Sequence, residues 1–65
     1  LTLCRRIRGL REYHQLTQLE VATRLGISQA AYSRMEKGEV ELSIMRLILL
    51  SEIYDVRLHE LLKGV

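Results

Sequence analysis

The sequence has no proline, phenylalanine or tryptophan, and only one cysteine. Without a second thiol, Cys4 has no partner within the chain, which excludes the small secreted scaffolds that disulfides hold together. Cys4, His14 and His59 lie too far apart for the closely spaced ligand pairs of a zinc site, so neither a metal nor a cofactor is expected. No apolar run approaches the roughly twenty residues that a membrane span needs, and no basic-then-apolar leader opens the chain. A cytoplasmic setting without membrane is therefore expected. Leu1 stands where Met would begin a complete chain, as in a trimmed fragment. Sixty-five residues suffice for one domain, residues 1–65, and leave no room for a deep cleft. Glu20, Glu36 and Glu60 have no nucleophile or phosphate-cradling loop beside them, which argues against an enzyme and a small-molecule substrate.

What is present is leucine, isoleucine, valine and alanine at helical spacing. Leu3, Ile7 and Leu10, with Tyr13 or His14 beyond, form one apolar stripe, so residues 2–14 read as a helix with Thr2 as its cap. Arg5, Arg6, Arg8 and Arg11 fall on its polar face. Thr17 and Glu20 have the spacing of a capping box, and Leu16 with Val21 that of a hydrophobic staple, so a second helix runs from there to Gly26. Ser28 caps a third helix, stapled by Ile27 and Tyr32, that continues through Met35 to Gly38. Ser43 caps a fourth, stapled by Leu42 and Leu47, to about Tyr54, and a short fifth covers about 58–63. Strand alternation never persists. The fold class is all-α, five short helices around one core.

Charge is divided unevenly. Residues 1–38 carry seven Lys or Arg against three acids, and residues 39–65 three against five. The first half is the side suited to a polyanion. It is also where two short helices meet across a glycine-containing turn, a unit whose second helix can enter a groove. Ala22 has to be small where the third helix crosses close to it, and Gly26 has to accept positive φ.

These features, with Leu-Thr-Gln at 16–18, Val-Ala at 21–22, Leu-Gly-Ile-Ser-Gln at 25–29, Ser-Arg-Met-Glu-Lys-Gly at 33–38 and Leu-His-Glu-Leu-Leu at 58–62, resemble the Cro/C1 or Xre-type helix-turn-helix family of phage and bacterial repressors. The resemblance covers nearly the whole chain. It implies a lambda-repressor-like helix bundle, sequence-specific binding of double-stranded DNA, regulation of transcription, and a homodimer on an inverted repeat. Ser28, Gln29, Ala30 and Arg34 match positions that face base edges. Gln18 matches a residue that bonds a phosphate oxygen. Arg11 and Glu36 match a pair that forms a partly buried salt bridge in some members.

The chemistry of those side chains agrees. Gln29 can bond adenine N6 and N7 together, Arg34 guanine O6 and N7, and Ala30 can touch a thymine methyl. Arg6, Arg11 and Lys37, with Arg5 and Arg8, are candidates for phosphate contacts, which add salt-dependent affinity without sequence information.

Three features depart from the family pattern. Glu39 and Glu41 occupy a loop that is often basic in DNA-binding relatives. Asp55 and Arg57 stand where a glycine and a small capping residue are usual, so a poorly terminated fourth helix is expected. Apolar residues also surround most of that helix; Met45 and Leu49 are expected on an outer patch that pairs two chains. The same apolar helix and acidic second half suit an alternative, a protein-interaction module on a helix-turn-helix scaffold.

Overall fold

The computed structural model describes residues 2–63. The described residues form five helices in the expected order: α1 Thr2–Tyr13, α2 Gln18–Leu25, α3 Gln29–Glu36, α4 Ile44–Ile53 and α5 Leu58–Leu61. The cap expected at Thr2 lies outside the described side chains. No helix among the described residues is long and apolar enough to cross a membrane.

The helix starts follow from local chemistry. Thr17 Oγ1 accepts from the Glu20 N–H at 3.1 Å, while Glu20 Oε1 accepts from the Thr17 N–H at 2.8 Å, closing the box at the start of α2. Ser28 and Ser43 accept from the N–H groups of Ala31 and Arg46 in the same way. Arg57 has no side-chain oxygen to offer α5. There the Glu60 carboxylate accepts the Arg57 N–H at 3.3 Å, which supplies half of a box.

The ends of α1 to α4 share one geometry. After α2, Gly26 takes φ +74°, the Ile27 N–H returns to the Ala22 carbonyl and the Gly26 N–H to that of Thr23. Gly38 ends α3 likewise at φ +75°. The same pair of backward bonds follows α1 at Gln15 and α4 at Asp55, with φ +57° and +53°, although neither residue is glycine. The expectation of a poorly terminated α4 is thus corrected: Asp55 adopts the left-handed conformation itself, and Val56 closes the motif on Ser51.

Ile7, Val21, Ala22, Tyr32, Met35, Leu47, Leu50, Tyr54 and Leu61 form the buried core. The helices pack as α2 on α3 and α4, α1 on α3 and α5, and α4 on α5. Ala22 is fully buried, as its place beside α3 requires. Cys4 is buried at 6% exposure on the inner side of α1. Tyr13 does not extend the α1 stripe: it is 80% exposed, and His14 past the helix end stacks on the Tyr54 ring at 5.8 Å. Inside the core the Tyr32 and Tyr54 hydroxyls bond each other at 2.9 Å. Burial pushes both phenols above their ordinary range, and the Glu36 carboxylate pushes Tyr32 further.

Candidate nucleic-acid interface

Tyr32 and Met35 anchor α3 to the core, and that single inward row decides what the rest of the helix shows. Ser28, Gln29, Ala30, Arg34 and Lys37 are exposed, and Ala31 and Ser33 partly so. On a helix of 3.6 residues per turn, Gln29, Ala30, Ser33, Arg34 and Lys37 share one outer face. The structure therefore brings three of the four expected base-facing residues, Gln29, Ala30 and Arg34, onto one strip with Lys37, while Ser28 caps the start of the helix.

Gln18 begins α2, where the first N–H groups of a helix and the positive end of its dipole favour an anion. Its amide is not free-swinging, because Nε2 donates to Glu36 Oε1 at 3.2 Å. Glu36 in turn is held by the Arg11 fork: Nε to Oε2 at 2.6 Å and Nη2 to Oε1 at 3.2 Å. A third Arg11 bond, from Nη1, reaches the Leu16 carbonyl at 3.0 Å. The two side chains are 13% and 4% exposed, so this pair is largely removed from solvent. Burial alone would raise the Glu36 carboxyl; hydrogen bonds from Arg11 and Gln18, the nearby Tyr32 hydroxyl and the Arg11 charge outweigh it and hold the group below the usual carboxylate range. The Arg11 guanidinium is raised, chiefly by its hydrogen bond to Glu36.

Arg11, expected at a phosphate, has all three guanidinium nitrogens bonded inside the protein and joins α1 to α3. Arg6, also expected at phosphate, is engaged elsewhere: its Nε donates to the Glu60 carbonyl of α5 at 2.9 Å. Arg8 pairs with exposed Glu12 at 3.3 Å, and Arg5 is exposed. Glu39 and Glu41 are both exposed in the loop after α3.

On α4, Met45 is 61% exposed, while Leu49 is only partly buried. The structure adds Ile44 and Ile48 to the apolar surface there, neither of which spacing alone assigned to the outside. The available signal was the stripe itself: once Leu47, Leu50, Ser51 and Tyr54 point inward, Ile48 has to lie to one side of it.

Two helices joined by a three-residue turn, the second anchored along one row and open along the other, define a helix-turn-helix module. The chain belongs to the Cro/C1-type helix-turn-helix family, whose model, described as helix-turn-helix, matches residues 7–61. It is similar to two uncharacterized HTH-type transcriptional regulators of Bacillus subtilis (strain 168). YqaE is 41% identical over 58 residues, 89% of this chain and 50% of the relative. YobD is 34% identical over 53 residues, 82% of this chain and 47% of the relative. The chain thus spans about half the length of these relatives. Among solved structures, the DNA-binding domain of the P22 C2 repressor in solution superimposes with a TM-score of 0.87 at 31% identity, over 95% of this chain and 82% of that one.

Proposed function

We propose that this domain binds double-stranded DNA in a sequence-specific way, with α3 in the major groove, and serves a cytoplasmic regulator of transcription. The observation that carries the reading is the outer face of α3, where amide, methyl, hydroxyl and guanidinium groups project from a helix anchored by Tyr32 and Met35. Ser28, Gln29, Ala30 and Arg34 read base edges, and Gln18 and Lys37 hold phosphates. The family and the likeness to a repressor's DNA-binding domain support the same reading.

The domain acts as a two-fold dimer. Met45, with Ile44, Ile48 and the flank of Leu49, forms the apolar face through which two copies meet. Two α3 helices then reach successive major grooves about 34 Å apart and read an inverted repeat. Met45→Lys with Leu49→Lys should halve the sedimentation mass of a dimer; an unchanged mass removes this face as the interface.

Selection of bound sequences from a random duplex library, with the winner titrated at several salt concentrations, tests the whole reading. A palindrome whose affinity falls steeply with salt is the expected result. Failure to enrich any sequence would favour the protein-interaction alternative, for which the exposed α4 face and the acidic Glu39 to Glu41 loop are the favourable observations.

A further inference from the structure

Glu36 is nearly enclosed, yet its bonds leave its own helix for two others. Oε2 and Oε1 accept the Arg11 fork from α1, and Oε1 also accepts from the Gln18 side chain at the start of α2. Three consecutive residues at that start are tied down. The Leu16 carbonyl is bonded by Arg11, the Thr17 N–H by Glu20, and the Gln18 amide by Glu36. A glutamine side chain on a helix surface ordinarily samples many rotamers, and fixing it during binding costs affinity. Here the cost is met in the free protein. An amide nitrogen carries two hydrogens, so the bond to Glu36 occupies one and leaves a second for another acceptor.

We infer that Glu36 is a positioning residue for DNA binding: it fixes the Gln18 amide in place for a phosphate oxygen, and by doing so ties that phosphate to the helix that reads bases. The inference rests on the proposed contact of Gln18 with the DNA backbone. Because Glu36 is the last residue of α3 and Gln18 the first of α2, one carboxylate links the anion seat to the reading helix. The phosphate then sets the depth and register of α3, which is what backbone contacts do in specific complexes. The residue itself touches no DNA.

The test is a double-mutant cycle on duplex affinity, using the full 65-residue chain, with folding stability measured on the same four proteins and binding measured at a temperature where each is folded. Gln18→Ala and Glu36→Gln should each weaken binding about tenfold, and the double variant no more than either. For Gln18→Ala the loss should be equal on specific and random duplexes, and the slope of log affinity against log salt should stay unchanged, because a neutral amide displaces no counterion. Additive losses would overturn the inference, since they would mean that Glu36 acts only through the fold. If Gln18→Ala alone binds as the parent does, Gln18 does not hold the backbone and the inference falls, whereas DNA binding by α3 stands. That single variant removes an outlying side chain and leaves the Arg11 pair intact, so it reads out even if Glu36→Gln does not fold. Absence of binding by the parent chain would instead remove the DNA reading and this inference with it.

Discussion

The two halves of the molecule solve the same packing problem by different means. From α1 to α3, polar groups cross the core boundary: Arg11, Glu36 and Gln18 join three helices, and glycines end α2 and α3. From α4 onward the contacts are mainly apolar, with the Tyr54 hydroxyl and the Glu60 carbonyl as polar links to the first half; α4 ends on an aspartate, and α5 starts on an arginine with no side-chain cap. A directional network holds the first half in one geometry, as a reading surface demands. Apolar burial stabilises without direction, and in the second half it leaves Ile44, Met45 and Ile48 uncovered.

The sharpest way to break this contrast is to remove one member of the network. Arg11→Met leaves Glu36 enclosed without its counter-charge and should cost about 3 kcal/mol in urea unfolding. A loss below about 1 kcal/mol would place Arg11 with ordinary surface ion pairs. Adding Glu36→Met should restore much of the loss, because an apolar pair of similar size no longer buries a lone charge.

The same pair gives the halves different responses to acid. The Glu36 carboxyl lies below the ordinary glutamate range in the folded protein, so the folded state binds this proton less readily than the unfolded chain does. Its contribution is complete above the unfolded value and is lost as pH falls through the lower folded one. Stability should therefore decline below about pH 4.5, and Glu36→Gln should flatten that decline in thermal unfolding monitored across pH.

At the reading surface, Arg34→Ala should leave folding unchanged, since the side chain is exposed. It should relax selection at one base pair of each half-site by about 1–3 kcal/mol. An unaltered selected sequence would reassign Arg34 to solvent. The smallest effect belongs to the second half: Asp55→Gly should raise stability by less than about 1 kcal/mol, as relief of the left-handed backbone outweighs the extra freedom of glycine in the unfolded chain. A lower melting temperature would show that the aspartate side chain contributes more than its backbone conformation costs.

Much of the architecture could be read from the sequence because helix ends are local chemistry. Thr17 with Glu20, Ser28, Ser43, Gly26 and Gly38 each act within a few residues, and each marks an observed boundary. The outward row of α3 was legible for the same reason, since Tyr32 and Met35 define its inward side. What escaped depends on residues far apart in the chain. Tyr32 meets Tyr54 across 22 positions and Arg6 meets Glu60 across 54, which no periodicity encodes. Arg11 carried a weak signal: it lies one step from Leu10 and four from Ile7, at the margin of the α1 stripe. Its place on a basic face gave no sign of enclosure, which the family resemblance with Glu36 did give. Gln15 and Asp55 were missed because a non-glycine residue in the left-handed region is uncommon enough that pattern favours glycine.

Cys4 adds a consequence for measurement. A buried thiol in the first turns of α1, in a chain with no other sulfhydryl, reacts with a bulky water-soluble reagent chiefly when that segment opens. Its labelling rate, compared with the rate in denaturant, gives the free energy of that opening. If α1 detaches alone, the value falls short of the energy of complete unfolding; if Arg11 binds it into the reading unit, the two coincide. One unmodified side chain thus acts as a native clock for the cooperativity of the whole domain.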